Sequence, residues 1–304
     1  MFASPRSTFR WAAVVAGATG ALVLALGMSG PSPEPGHPAH DAVHSMAGMD
    51  HGASEMPATA AMSGMAAGEG LAPELDGYRM ESPVGTLPAG GATGYPFTLV
   101  GPDGLPITDF AVVQTKKLHF YAIRSDLTGY QHLHPTMAAD GTWTADLAAL
   151  EPGDWRLYAS FTPNTGPHRG TELVFSRVVT VPGAVLAVPL PAAAGSTEVD
   201  GYTVSLQEGS AAGMIHPLTV TVSRDGRPVT DLQPYLESYA HLSAFRAGNQ
   251  ALAHLHPKNV VDGDHGGPTL SFDAMIGESG DWRVFLQFQT AGQVHTAVLT
   301  WHVA

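Results

Sequence analysis

Four separated motifs recur in the same order along this 304-residue chain, and that duplication limits the fold more than any other feature. Asp76-Gly77-Tyr78 returns as Asp200-Gly201-Tyr202, and the turn from Asp103 to Asp109 returns from Asp225 to Asp231. His132-Leu133-His134-Pro135 returns as His254-Leu255-His256-Pro257, and Gly153-Asp154-Trp155-Arg156 as Gly280-Asp281-Trp282-Arg283. The repeat distance is 122 residues at the histidine motif and 127 at the tryptophan motif, which places an insertion around Asp262 to Pro268 in the second copy. The expected organisation is a first repeat over 75–183, a Pro/Ala-rich linker over 184–199 and a second repeat over 200–304.

Each unit reads as β structure. In the first, short apolar or alternating runs fall at Tyr95–Val100, Leu118–Arg124, Gln131–His134, Thr142–Leu147, Trp155–Phe161 and Leu173–Val181, with Gly, Pro and Asp turns between them. No stretch keeps a helical period. About seven strands in about 105 residues is the size of an immunoglobulin-like sandwich, so the expected fold class is all-β, with two tandem sandwiches built around Trp155 and Trp282. Arg124 and Arg246 recur at matching places, consistent with a structural ion pair for which only the first unit offers Asp126.

Three histidines recur with these units. His119 precedes His132 by 13 residues and His134 by 15, and His241 precedes His254 and His256 by the same intervals. Side chains at i and i+2 of a strand share a face. His132 and His134 can therefore reach one ion while Leu133 points the other way, and a neighbouring strand can add His119. Three imidazoles suit Cu(II) or Zn(II). The alternative is that these rings cap turns or bond to backbone groups near Pro135 and Pro257. His168, His216, His265, His295 and His302 show no shared spacing and read as surface or turn residues, with Met214 and His216 a candidate auxiliary pair.

The chain carries 14 Lys and Arg against 27 Asp and Glu, a formal net charge of -13 that excludes the basic footprint of a nucleic-acid binder. With no cysteine, disulfides and thiolate ligands are excluded too. Residues 1–30 read as a signal peptide or N-terminal membrane anchor, with Arg6 and Arg10 before the uncharged run 11–28. The body is therefore expected outside the cytoplasmic membrane, secreted or held to its outer face, touching the bilayer only through residues 11–28 if the signal is uncleaved. Residues 31–74 lack Lys and Arg and are too poor in large aliphatic residues to fold alone, so they read as a disordered tail. Its densest Met/His cluster holds His44, Met46, Met49 and His51. Thioethers suit Cu(I) and imidazoles Cu(II), so the tail reads as a copper-capture segment, or else as a spacer.

The segment Lys116 to Pro135 and its counterpart from Tyr235 through His241 to His254-Leu255-His256-Pro257 resemble a family of secreted bacterial proteins with duplicated immunoglobulin-like, YtkA-like sandwich domains and Met/His-rich N-terminal segments. That resemblance implies copper or heavy-metal handling. The family often has a further histidine five residues before the one matching His119, but here Gln114 stands there and Leu236 in the second copy, so a three-histidine site per repeat is what carries over. The leading expectation is a non-catalytic, extracytoplasmic protein of copper binding and homeostasis, with zinc a second fit. Its partners would be metal ions together with a membrane metal transporter or surface protein. An interaction module with structural histidines is the alternative, and a metal-dependent enzyme ranks third because no general acid or base is legible.

Overall fold

The computed structural model describes residues 69–207, 212–213 and 215–304, without the side chains of His216, His254 and His256. Among these residues there is no helix, and the first repeat holds nine strands: β1 (Glu74–Leu75), β2 (Tyr78–Glu81), β3 (Thr93–Val100), β4 (Leu118–Arg124), β5 (Gln131–Leu133), β6 (Thr136–Met137), β7 (Thr142–Leu147), β8 (Gly153–Phe161) and β9 (Leu173–Val181). They form one sheet in the order β1-β2-β3-β7-β6 and another in the order β5-β4-β8-β9. Three of the six runs expected from sequence match strands end for end. The others differ by one or two residues, and β1, β2 and β6 were not foreseen because they are too short to show a period.

The two sheets face each other across an apolar core. Tyr95, Phe97 and Trp143 come from one sheet and Phe120, Trp155, Leu157, Phe161 and Phe175 from the other. Phe97 lies 5.2 Å from Phe120, and Phe110 meets Trp143 and Phe161 edge-on at 5.4 and 5.7 Å. Trp155 is buried, as expected, and its indole N–H donates to the Glu151 carbonyl at 2.8 Å. Gly129 lies against this indole with φ +70; a Cβ there would come within 2.3 Å of the ring.

The second repeat follows the same plan with β10 (Ser196–Val199), β11 (Tyr202–Gln207), β12 (Ile215–Arg224), β13 (Arg227–Pro228), β14 (Ala240–Arg246), β15 (Leu252–Pro257), β16 (Thr269–Met275), β17 (Gly280–Thr290) and β18 (Gln293–Val303). Its indole Trp282 is buried and donates to the Glu278 carbonyl, repeating the first unit. One difference concerns the histidine segment. In the first repeat that segment is split, β5 pairing with β4 and β6 with β7, whereas β15 runs unbroken from β14 to β16 and joins the two halves into a single nine-stranded sheet. In both copies the His-Leu-His-Pro segment is thus where the chain crosses from one sheet to the other.

Strand β4 is buried at every residue. Leu118, Phe120 and Ala122 enter the core of the first sandwich, while Tyr121 and Ile123 enter a separate cluster with Leu127, Tyr158, Val174, Phe245, Leu252 and Phe285. This cluster joins the repeats. Tyr130 stacks on Phe285 at 4.1 Å, Gln250 Nε2 donates to the Arg124 carbonyl at 3.2 Å, and the Tyr158 hydroxyl donates to the Gln250 carbonyl. The linker is also tied down: the Val188 N–H donates to Asp126 Oδ2 at 2.9 Å, and Arg124 pairs with the same carboxylate. Burial alone would raise the Asp126 carboxyl, but hydrogen bonds from Arg124, Thr128 and Val188 hold it far below the usual range. Arg246 lacks that aspartate and pairs instead with Glu278 at 3.1 Å.

Two outcomes follow in denaturant unfolding. Trp155→Ala or Trp282→Ala should each cost about 3 to 5 kcal/mol, the range for emptying a buried aromatic site; a loss below about 1 kcal/mol would place the ring outside the core. Cutting the chain within the linker should leave the two halves associated through the cluster around Phe245 and Phe285, as size-exclusion chromatography after the cut would report.

Candidate metal centre

The first histidine triad is assembled by strand register. Tyr121 of β4 stands opposite His132 of β5, and Phe120 opposite Leu133. One further step places His119 opposite His134. Leu133 packs toward the first core, while His132 and His134 turn the other way as expected. One ligand atom from each of His119, His132 and His134 lies within 4.8 Å of the other two. The His119 and His134 rings are 5.1 Å apart, and those of His132 and His134 4.7 Å.

Hydrogen bonds determine which nitrogens face inward. His119 Nε2 lies 3.1 Å from the Val113 carbonyl oxygen, which only accepts, so Nε2 carries the proton and the neutral ring's lone pair sits on Nδ1. His132 Nδ1 lies 2.7 Å from Gln287 Oε1, so there Nδ1 is protonated and the lone pair sits on Nε2. Those two lone-pair nitrogens stand 3.1 Å apart. Two nitrogens bound tetrahedrally to one ion at about 2.0–2.1 Å would be roughly 3.3 Å apart. His134 Nε2 is buried with no hydrogen-bond partner. Two lone pairs at this separation repel, and a buried polar nitrogen without a partner is costly; a cation relieves both. A ring N–H donating to a carbonyl or amide oxygen on the side away from the ion is the usual support of a ligating histidine.

A proton is a poor substitute for that cation. Burial first, then the nearby His134 and His119 rings, hold the His132 imidazole well below its ordinary range, with the Gln287 hydrogen bond opposing. Burial, then Lys116, lowers His134 to about 4. Tyr121 stacks on His132 at 4.6 Å. Burial first, then Tyr130 and Glu172, raises its phenol, so it remains neutral beside the triad.

The Val113 carbonyl is held by a tight turn. Val113 and Lys116 exchange both backbone hydrogen bonds across Gln114 and Thr115, at φ 48 and 65. Such a turn ordinarily takes Asn-Gly, and a β-branched residue at positive φ is strained. The second repeat does the same with Tyr235 and Ser238 across Leu236 and Glu237, and His241 Nε2 donates to the Tyr235 carbonyl at 2.8 Å. Strained turns of this kind cluster at functional sites. His254 stands opposite Ser243 in β15, the register His132 has opposite Tyr121. The side chains of His254 and His256 lie outside the described residues, as do His44, Met46, Met49, His51, residues 1–68 as a whole and the Met214–His216 pair.

Sequence reasoning missed the supporting groups: Val113 and Tyr235 act through main-chain carbonyls, and Gln287 is remote in sequence. It also misread His295. That ring is buried rather than superficial, with Nδ1 2.7 Å from Asp200 Oδ2 and Nε2 2.9 Å from Thr290 Oγ1. In the first repeat His168 Nε2 lies 2.9 Å from Asp76 Oδ2, and both rings contact the tyrosine of the Asp-Gly-Tyr motif. The recurring aspartate therefore takes a histidine in each copy; differing intervals along the chain hid the equivalence. His295 stands between a carboxylate and a hydroxyl in the order of a hydrolase triad, but Thr290 is 3% exposed, so the arrangement braces the fold. His265 and His302 lie on the surface, as expected, each beside an aspartate.

The acid behaviour of the metal-free protein follows from the two lowered imidazoles. In the unfolded chain they bind protons near pH 6.5, and in the fold only at lower pH. Their stabilising contribution is complete above about pH 6.5 and is lost as pH falls toward about 4. Denaturant midpoints measured down through this window should decline, and His134→Gln should flatten the decline; an unchanged profile would mean His134 is exposed.

The family model for a domain of unknown function, DUF8832, matches residues 73–181 and again 197–304. No curated protein matches the chain. Among solved structures, domains 4 and 5 of the S-layer protein SbsC share 12% identity at a TM-score of 0.23, over 76% of this chain and 99% of that one. A Salmonella alpha-2-macroglobulin mutant shares 15% at 0.24, over 76% and 15% respectively. The D0-D1 domain of intimin shares 13% at 0.20, over 74% and 97%. Likeness at these scores supports no argument about function. On the two family matches, which together span most of the chain, this protein belongs to the DUF8832 family and carries its domain twice.

Proposed function

We propose that the protein is an extracytoplasmic metal-binding protein that holds copper, with zinc as the second fit, at His119, His132 and His134. The observation that carries this reading is the convergence of two lone-pair nitrogens 3.1 Å apart in a triad of one buried and two half-buried histidines, whose third member has a nitrogen without a hydrogen-bond partner. Three neutral imidazoles favour Cu(II) and Zn(II), and the thioethers of the N-terminal segment favour Cu(I). That combination places copper first. His241, His254 and His256 would form the second site, and His44, Met46, Met49 and His51 would capture the ion. We read the role as binding rather than catalysis because the sequence offers no legible general acid or base to accompany the ion. The signal segment supports a place outside the cytoplasmic membrane, with delivery to or from a membrane transporter.

Metal analysis of the full chain, made without a histidine tag, tests this directly. Replacing His119, His132 and His134 together by Ala should remove one tightly held ion per chain; retention of full stoichiometry would overturn the site. Lys116 works against a cation beside His134, so Lys116→Gln should tighten Cu(II) and Zn(II) binding in a competition titration, whereas weakened binding would make the lysine part of the site.

A further inference from the structure

The triad belongs to the first repeat, but one group that orients it does not. Gln287 lies on β17 of the second repeat, opposite His241 in the β14–β17 ladder, and its Oε1 reaches across to His132 Nδ1 at 2.7 Å. The Gln287 amide nitrogen lies 3.4 Å from Thr296 Oγ1. His132 also lies 6.2 Å, centre to centre, from the His241 ring. The triad therefore sits on the seam between the repeats, beside the stacked Tyr121, Tyr130, Phe245 and Phe285 rings.

We infer that the first-repeat metal site is a composite of both repeats, in which Gln287 is a positioning residue that fixes the metal-ready tautomer of His132, so that metal binding and the docking of the repeats are linked. The inference rests on the metal-binding reading above. Its physical basis is the single proton shared out on a neutral imidazole. If Gln287 accepts that proton's hydrogen bond at Nδ1, Nε2 is left as the donor to the ion. Among the described residues Gln287 is the hydrogen-bond partner of Nδ1, and without it His119 Nδ1, a lone pair 3.1 Å away, draws the proton to Nε2 instead. The ring would then present a hydrogen where the ion belongs. Linkage is reciprocal: if docking of the repeats favours the ion, the ion favours docking by the same factor.

The test uses the full chain, with Zn(II) as a diamagnetic probe read at the His132 ring by nitrogen-resolved NMR. In the metal-free chain the His132 proton should be on Nδ1; finding it on Nε2 overturns the inference without any variant. Gln287→Leu should move the proton toward Nε2 and weaken Zn(II) binding at His132 by about 10–100-fold, the usual effect of removing such a support. Gln287→Glu, which keeps the acceptor, should restore binding. Undiminished binding in Gln287→Leu, where His132→Ala abolishes it, overturns the composite site alone. Failure of the unsubstituted chain to bind Zn(II) or copper overturns the metal reading and this inference with it.

Discussion

Strand β4 has no solvent face, and the rest of the molecule is arranged around that double burial. Its Leu118, Phe120 and Ala122 belong to one sandwich core while Tyr121 and Ile123 meet the second repeat. A strand covered on both sides cannot alternate apolar and polar residues, which explains the run Leu-His-Phe-Tyr-Ala-Ile. The histidine in it is tied down by donation from Nε2 to the Val113 carbonyl. Its counterpart His241 sits in an equally buried strand. The burial of His119 and the partial burial of His132 and His134 thus go with the docking of two sandwiches through their β4 and β14 sheets.

This arrangement also gives the imidazoles their chemistry. Withdrawn from water, His132 and His134 resist protonation and keep lone pairs available at neutral pH. On an open sheet edge the same residues would titrate as ordinary histidines and compete poorly for an ion as acidity rises. The strained turns at Gln114-Thr115 and Leu236-Glu237 aim a carbonyl at the first histidine of each triad, at a conformational cost the surrounding sheets must offset.

Duplication did not produce two identical halves. The first copy interrupts its histidine segment between β5 and β6, and the second runs it through as β15. Arg124 pairs with Asp126 and through it holds the linker, whereas Arg246 pairs with Glu278. The braces at Asp76 and Asp200 differ as well: His168 lies in the connection between β8 and β9, whereas His295 lies within β18. Identical local motifs are therefore completed by non-equivalent partners, because a partner remote along the chain need not be duplicated with the motif.

Much was determined by the sequence alone. The repeat, the all-β class, the buried tryptophans, the full extents of three strands and the opposed directions of Leu133 and the two flanking histidines all follow from local pattern, because a two-residue period and a recurring motif are properties of neighbouring residues. Tertiary structure alone decided that the repeats bury a shared aromatic seam, that Gln287 meets His132 from 155 residues away, that Val113 serves through its carbonyl, and that His295 is interior. Those contacts depend on distance in space between groups with no fixed separation along the chain, and a main-chain acceptor leaves no mark in residue identity.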